Sequence, residues 1–129
     1  MTEILADTSI LIDYLEDKLA AASEEALANT LPAISIITYF EIHKFFLKVG
    51  RASDWQQAKK KLESYAIIEL NMAICDEAAR CAMAYNLSMA DSLIYASAKL
   101  HKLKLATSDK DHKNLPEVIY LKPKQNARK

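Results

Sequence analysis

The stretch that decides the fold reads Glu3-Ile4-Leu5-Ala6-Asp7-Thr8-Ser9-Ile10-Leu11-Ile12. Its first apolar run predicts a strand over Glu3–Asp7, and the apolar spacing after it predicts a helix over Ser9–Leu19. Asp7 therefore stands where a strand gives way to a helix. Carboxylates are rare in apolar surroundings unless their charge is compensated. Asp7 is thus either a helix N-cap or one member of a charged site.

The alternation of strand and helix continues along the 129 residues. Further strands are predicted over Leu31–Ile34, Ala66–Leu70, Leu103–Thr107 and Val118–Leu121, further helices over Ser23–Ala28, Ser35–Val49, Asp54–Tyr65, Asp76–Tyr85 and Ser88–His101, and a turn or short helix over Lys110–Leu115. The expected N-caps are Ser23, Ser35, Ser53 and Ser88, and Gly50 is the expected helix stop. This order predicts a three-layer α/β/α fold with a short parallel sheet of about four to five strands. We expect one domain over residues 1–122, followed by a basic tail over residues 123–129.

Four acidic residues stand out by position, namely Asp7, Glu41, Asp91 and Asp109. Glu41 lies in an apolar helical pattern, Asp91 opens a helix, and Asp109 follows a predicted strand. Ligands of parallel sheets bind beyond the carboxyl ends of the strands, so Asp7 and Asp109 are expected at the same edge. The placement predicts one acidic pocket that holds a divalent metal.

Each acid also has a separate structural explanation. These are an N-cap for Asp7, a capping box with Ser88 for Asp91, a turn for Asp109, and an ion pair with Lys44 or Lys48 for Glu41. A single metal site accounts for all four positions, whereas the alternatives need four unrelated reasons.

The composition excludes several other chemistries. The chain has one glycine, so it cannot form the glycine-rich phosphate loops or the nucleophile elbow. Cys75 and Cys81, six residues apart in a predicted helix, are about 9 Å apart along its axis and are expected to be buried apolar groups rather than a disulfide. The three histidines show no metal-ligand spacing, which argues against a zinc site.

Charge and hydropathy indicate the environment of the chain. Residues 1–41 carry one cation and eight acids, residues 42–129 carry sixteen cations and nine acids, and the total is neutral. This division suits a metal at one place and phosphates at another. No apolar stretch approaches the ~20 residues that span a bilayer, and the N-terminus lacks the pattern of a signal peptide, so we expect a cytoplasmic protein without a membrane contact.

Four segments together resemble the PIN-domain family, most closely the VapC-type toxins of VapBC toxin–antitoxin pairs. The segments are Asp7-Thr8-Ser9-Ile10-Leu11-Ile12, Ser35-Ile36-Ile37-Thr38-Tyr39-Phe40-Glu41-Ile42, Leu87-Ser88-Met89-Ala90-Asp91-Ser92-Leu93-Ile94 and Leu105-Ala106-Thr107-Ser108-Asp109-Lys110-Asp111. The resemblance covers nearly the whole chain and implies a PIN-like fold. It also implies an endoribonuclease that uses Mg²⁺ or Mn²⁺ and leaves a 5′-phosphate and a 3′-hydroxyl.

The resemblance assigns roles to individual residues. Asp7, Asp91 and Asp109 would be metal ligands, and Glu41 would be a ligand or the base that orients water. Thr107 matches a hydroxyl that helps to orient the site, and Asp111 stands where relatives often have a second acid. His112 replaces the aromatic residue that usually follows, which leaves Asp109 and Asp111 as competing candidates for the fourth acid. Whether one or two metals bind stays open.

Substrate and partner surfaces are predicted from charge and apolar residues. The candidates for phosphate contacts are Lys44, Lys48, Arg51, Lys110 and Lys113. The resemblance implies a cognate antitoxin and a homodimer. The apolar residues Tyr39, Phe40, Phe45, Phe46 and Leu47 exceed a single core stripe, so they form either a groove for an antitoxin helix or second subunit, or core.

Functions of other classes compete with this interpretation. A phosphoacceptor receiver domain needs an Asp at the end of its middle strand, where the run Ala66–Leu70 leads to Asn71 instead. A DNA-directed or flap-type nuclease would use the same acids. A non-catalytic binding module would keep them for stability only.

Overall fold

The computed structural model describes residues 3–125 of the chain. In that part, the strands are β1 (Ile4–Ala6), β2 (Ala33–Ser35), β3 (Ala66–Ile68), β4 (Lys104–Thr107) and β5 (Val118–Tyr120), and the helices are α1 (Thr8–Leu15), α2 (Ala21–Ala28), α3 (Ile36–Lys48), α4 (Ala52–Glu63), α5 (Met72–Tyr85) and α6 (Met89–Leu100). A single 3-10 turn covers Lys110–His112, between β4 and β5. Every predicted strand and helix is present, and most ends differ from the prediction by one to four residues.

The five strands form one parallel sheet in the order β3-β2-β1-β4-β5. Leu5 in β1 pairs with Ala33 in β2 and with Leu105 in β4. The chain builds outwards from β1 to β3 and then returns to place β4 on the other side of β1. The point where the direction reverses therefore lies between β1 and β4, which is where such sheets bind their ligands.

Side chains that alternate along the strands divide the core into two layers. In β1, Ile4 and Ala6 pack with the buried residues of α1 to α4, whereas Leu5 packs with those of α5 and α6. In β4, Ala106 packs in the layer of α1 to α4, and Leu105 packs in the layer of α5 and α6. The sheet is thus covered on both faces, and the predicted three-layer α/β/α arrangement is confirmed.

The predicted helix caps are correct for two serines and wrong for two. The hydroxyls of Ser35 and Ser88 accept a backbone N–H from the first turn of α3 and α6. Ser23 instead lies buried inside α2, and Ser53 lies inside α4. Both of these helices start without a side-chain cap, so their sequences carry no capping signal at the true start.

The ends of α5 and α1 also differ from the prediction. Helix α5 begins four residues early because the side chain of Asn71 accepts the N–H of Ile74 at 2.9 Å. Helix α1 ends at Leu15 instead of Leu19, because Asp17 adopts a left-handed φ of 57°. Gly50 has a φ of 73° just after α3 and is the predicted helix stop.

The two cysteines have different environments. Cys81 is buried, as expected, but Cys75 is exposed on α5, so that prediction is wrong for Cys75. A 14-residue helix on the outside of a three-layer fold buries one stripe only, and Cys75 lies outside it. Both thiols are free.

The C-terminal end of the described chain lies against the domain. Lys124 donates its N–H to the carbonyl of Lys18 at 2.7 Å, and Pro123 pairs with Leu19. The predicted tail over 123–129 therefore starts as docked chain, and residues 126–129 lie outside the described part. Among residues 3–125, no helix has both the length and the apolar character that crossing a membrane requires.

Candidate functional site

The candidate site lies at the carboxyl edge of the sheet, between β1 and β4. Asp7 follows β1 directly, and its backbone N–H donates to the carbonyl of Ala106 in β4 at 3.0 Å. The segment after β4 carries Thr107, Ser108 and Asp109. The prediction that Asp7 and Asp109 share one edge follows from this topology, since β1 and β4 are direct neighbours.

Asp7 is a buried carboxylate that also caps a helix. Its side chain is almost inaccessible, and Oδ1 accepts the N–H of Ile10 at 3.0 Å and the hydroxyl of Ser9 at 2.8 Å. Burial raises the pKa of Asp7, while hydrogen bonds from Thr107, Ile10 and Ser9 partly oppose this rise. The capping role is therefore real. Within residues 3–125 Asp7 forms no ion pair, and the charge of His112 opposes the rise in its pKa less than these hydrogen bonds do.

His112 lies between two of the other predicted acids. Its Nε2 is 3.4 Å from Asp91 Oδ2, and its Nδ1 is 3.8 Å from Asp109 Oδ2. The hydrogen bond from His112 lowers the pKa of Asp91. In return, the hydrogen bond to Asp91, together with the negative charges of Asp91, Asp109 and Asp7, raises the pKa of His112. When protonated, the His112 imidazole places a positive charge beside these carboxylates.

A small cavity joins Asp7 to Asp91 and His112. It is lined by Asp7, Leu87, Asp91, Ile94, Tyr95, Leu105, His112 and Leu115. Its volume of about 10 Å³ is roughly that of one water-sized sphere. A single ion or water would therefore fill it.

Glu41 approaches from α3 on the other side of Asp7. Its Oε1 accepts the hydroxyl of Thr8 at 2.5 Å, and the hydroxyl of Thr38 lies 3.0 Å from the same Thr8 oxygen. Among the described residues Glu41 has no ion-pair partner, so the alternative of a pair with Lys44 or Lys48 is not realised. Glu41 is held instead by a residue next to Asp7.

The segment after β4 separates the two candidates for the fourth acid. Thr107 is fully buried, and its Oγ1 accepts the N–H of Asp109 at 3.0 Å. Asp109 in turn accepts the N–H of Asp111 at 2.9 Å, which is the turn role that the sequence left open. Asp109 lies beside His112, whereas Asp111 is exposed. The geometry thus favours Asp109.

The donor chemistry of these residues fits a hard divalent cation. Mg²⁺ and Mn²⁺ prefer carboxylate oxygens, and a buried carboxylate that forms no ion pair, such as Asp7, is stabilised by a cation. Within residues 3–125, however, no three Asp, Glu, His or Cys side chains converge as ligands of one ion. His112 stands between Asp91 and Asp109, and the side chain of Asp91 is 45% exposed. A metal would therefore draw the acids together rather than enter a finished cage.

The predicted basic residues fall into two groups. Lys44 and Lys48 are exposed on α3, and Lys110 and Lys113 are exposed beside Asp109. Arg51 is different. Its Nη1 lies 2.7 Å from Glu16 and its Nε lies 2.7 Å from Asp54, so it joins the end of α1 to the start of α4. These ion pairs set Arg51 apart from the four lysines, and its contact with phosphate stays a prediction.

The apolar residues of α3 divide between core and surface. Phe46 is buried, Tyr39 and Phe45 are partly buried, and Phe40 and Leu47 are 61% and 57% exposed. Phe40 and Leu47 are seven residues apart and so share one helix face. The alternative that all five residues are core is therefore wrong, and the groove for an antitoxin helix or second subunit stays a prediction.

A much larger cavity lies away from these acids. It holds about 780 Å³ at the opposite, amino edge of the sheet, where Lys102, Lys104 and Glu117 line it. None of the four predicted acids lines this cavity. Size alone would have selected the wrong place for the predicted chemistry.

Sequence reasoning missed several polar residues of the site. The prediction considered only the spacing of the histidines with one another and with the cysteines. In the structure, His112 contacts Asp91, which is distant in the sequence, and Asp109, three residues before it. Asp13, Ser108 and Ser9 form hydrogen bonds directly behind Asp7. The one available signal was the position of His112 immediately after the acid pair in Asp109-Lys110-Asp111-His112.

Comparisons with known proteins agree with the predicted family and with the observed fold. The sequence matches the PIN-domain family over residues 4–118. A toxin–antitoxin complex from Klebsiella pneumoniae contains a chain with 30% identity and a TM-score of 0.76, covering 91% of this chain and 96% of that one. The DNA-bound VapBC complex from Salmonella typhimurium (15% identity, TM-score 0.75, 95% and 98% covered) and VapBC-1 from nontypeable Haemophilus influenzae (21%, 0.72, 95% and 98%) share the fold. No curated protein matches the sequence.

Proposed function

Because the chain belongs to the PIN-domain family, whose members are typically nucleases, we propose that it is an endoribonuclease that requires Mg²⁺ or Mn²⁺ and acts as the toxin of a toxin–antitoxin pair. The observation that carries the proposal is the buried Asp7, which lies between β1 and β4, forms no ion pair among residues 3–125 and shares a cavity with Asp91. A stabilising N-cap does not need this second acid beside it.

Each acid has a distinct task in this proposal. Asp7, Asp91 and Asp109 would hold the metal, directly or through water, and Glu41 would bind it or orient the attacking water. When bound, the ion would make a water nucleophilic and neutralise charge on the phosphate. Thr8 holds Glu41 by its hydroxyl, and Thr107 holds the backbone of Asp109, so both restrict the acids before the substrate arrives. Cleavage would leave a 5′-phosphate and a 3′-hydroxyl.

RNA is the proposed substrate, and four lysines are its proposed phosphate contacts. Lys44 and Lys48 extend from the helix that carries Glu41, while Lys110 and Lys113 flank Asp109. A single strand or loop can enter such a site more easily than a stacked duplex. Replacing Lys44 and Lys48 together should lower the salt dependence of binding, with a slope reduced by about 1–2. An unchanged slope would exclude them as contacts.

The proposed protein partners are an antitoxin and a second copy of the chain, in the cytoplasm. Solved complexes of similar fold, including the Klebsiella pneumoniae complex, contain an antitoxin. The exposed pair Phe40 and Leu47 offers an apolar face to an amphipathic helix. Sedimentation of a Phe40→Glu/Leu47→Glu variant separates the two partners. A variant that stays dimeric leaves this face to the antitoxin, and a monomeric variant assigns it to the second copy.

The alternative functions make different predictions. Membership of the PIN-domain family excludes the receiver domain. The strand before Asn71, β3, is an edge strand and not the middle strand of the sheet, so Asn71 does not occupy the position of a receiver domain's Asp. A DNA-directed or flap-type nuclease would use the same acids on another substrate. A binding module would bind nucleic acid without cleaving it.

One experiment distinguishes these functions. Purified protein is incubated with end-labelled RNA, single-stranded DNA and flap DNA, each with Mn²⁺ or with EDTA. We expect metal-dependent cleavage of RNA, loss of cleavage in Asp7→Asn, and full activity in Asp76→Asn, which removes an exposed acid from α5. Cleavage of DNA alone would support the flap-type alternative. Binding without cleavage in any metal would refute the nuclease proposal.

A further inference from the structure

A buried acid that the proposed chemistry does not use lies behind the site. Asp13 is on α1, six residues after Asp7, and is 4% exposed. Its Oδ2 accepts the hydroxyl of Ser108 at 2.7 Å. Ser108 is itself buried and stands between Thr107 and Asp109. This bond links α1 to the segment that carries the proposed ligand Asp109.

The contact continues from Ser108 to Asp7. The Oγ of Ser108 lies 3.4 Å from the Oγ of Ser9, and the hydroxyl of Ser9 donates to Asp7 Oδ1 at 2.8 Å. The same Ser9 oxygen is 3.3 Å from Thr107 Oγ1. A continuous row of polar atoms therefore joins Asp13 to Asp7 on one side and to the start of the Asp109 segment on the other.

The direction of the hydroxyl protons gives Asp13 its role. Each hydroxyl has one proton to donate. The proton of Ser108 goes to Asp13, because that bond is the shorter, at 2.7 Å against 3.4 Å to Ser9. Ser9 can then give its own proton to Asp7. Without the Asp13 acceptor, Ser108 loses its 2.7 Å bond, and the end of the row beside Thr107 and Asp109 is no longer held in place.

We propose that Asp13 is a positioning residue that acts through Ser108 and Ser9 to fix Asp7 and Asp109 for metal binding. This inference rests on the proposed function, because it assumes that Asp7 and Asp109 hold the ion. Asp13 itself touches neither metal nor substrate. Hydrogen-bond partners of metal ligands typically change metal affinity by 10–100-fold when they are replaced.

The test measures Mn²⁺ affinity in the absence of RNA. The variants are Asp13→Ala, Asp13→Asn and Ser108→Ala, with Ser97→Ala as the matched control. Ser97 is also fully buried, but it donates to the carbonyl of Leu93 within α6. Calorimetric titration with Mn²⁺ gives the affinity, and unfolding in EDTA gives the stability of each variant.

We expect Mn²⁺ affinity to fall about 10-fold or more in Asp13→Ala and Ser108→Ala. Asp13→Asn keeps an acceptor oxygen for Ser108 and should recover most of the affinity. The double variant Asp13→Ala/Ser108→Ala should bind Mn²⁺ no more weakly than the worse single variant, because both changes interrupt one row. Ser97→Ala should lower stability only.

Two results would overturn the inference. One is Mn²⁺ affinity within about twofold of wild type in folded Ser108→Ala, a variant that decides the matter even if Asp13→Ala does not fold. The other is an equal loss of affinity in Ser97→Ala, which would make the effect one of general stability. Failure of the proposed function is distinguishable, because it appears as absent Mn²⁺ binding in wild type or unchanged binding in Asp7→Asn, and either would remove both proposals.

Discussion

Replacing Asp7 by Asn tests the site most directly, because it removes a charge and almost nothing else. The amide oxygen can still accept the bonds from Ile10 and Ser9, and Asn caps helices as well as Asp does. Burial raises the pKa of Asp7, which means that the folded protein disfavours the ionised form. In the absence of metal, the variant should therefore be more stable than wild type.

The expected gain is the difference between two larger effects. An ion buried without a partner costs several kcal/mol, taken here as about 4 kcal/mol. Against this, two hydrogen bonds to Oδ1 each lose about 1 kcal/mol when the acceptor becomes neutral, and α1 loses about 0.5 kcal/mol of dipole stabilisation. The net gain is about 1–2 kcal/mol. For a chain of this length that corresponds to a melting temperature about 4–7 °C higher.

The assay is thermal unfolding in EDTA and in Mn²⁺. Wild type should gain about 2.7 kcal/mol when Mn²⁺ is present at 100 times its Kd, and Asp7→Asn should gain little. The order of stability should therefore invert between the two conditions, and RNA cleavage should be lost in the variant. The greater stability of Asp7→Asn in EDTA should also decrease as the pH falls through the raised pKa of Asp7 in wild type, because protonated Asp7 carries no charge.

Two outcomes would refute this reasoning. If folded Asp7→Asn is less stable than wild type in EDTA, the Asp7 charge is compensated by something other than a metal. If Mn²⁺ stabilises both proteins equally, Asp7 is not a ligand. Asp76→Asn provides the control, since it removes one exposed charge far from these contacts and should respond to Mn²⁺ as wild type does.

Three further predictions follow from other contacts. In EDTA, wild type should exceed His112→Gln in stability most at low pH. The raised pKa of His112 in the folded protein adds stability below the ordinary value of about 6.5, and this stability is lost as the pH rises through the folded value. Urea unfolding from pH 5.5 to 8.5 measures the stability difference between the two proteins, and a difference independent of pH would contradict the prediction. Arg51→Ala should lower the unfolding midpoint by breaking the pair with Glu16, yet leave the salt dependence of RNA binding unchanged; a smaller salt slope would support Arg51 as a phosphate contact. Lys99 and other neighbours lower the pKa of Glu77 to about 2, so Glu77→Gln should lose about 1–2 kcal/mol of stability at pH 7. In an acid titration, this loss of stability should disappear as the pH falls from about 4.3 towards 2. A loss that persisted at low pH would disprove the pairing.

Local sequence patterns predicted the elements of this fold because strands and helices depend on contacts between near neighbours. Apolar spacing located every strand and helix, and Ser35 and Ser88 marked two helix starts by their own hydrogen bonds. The starts of α2 and α4 were missed because no side chain caps them. The start of α5 was missed because the predicted helix began at Asp76, whereas the side-chain oxygen of Asn71 caps the helix five residues earlier.

The sequence by itself determined which residues can carry charge chemistry and which edge of the sheet receives Asp7 and Asp109. Only the tertiary structure decided that His112 lies between Asp91 and Asp109, and that Arg51 is occupied by Glu16. The physical reason is that strand order, not sequence distance, sets these neighbours. The return of the chain beside β1 brings segments about 100 residues apart into hydrogen-bond contact, as Ser9 and Ser108 show.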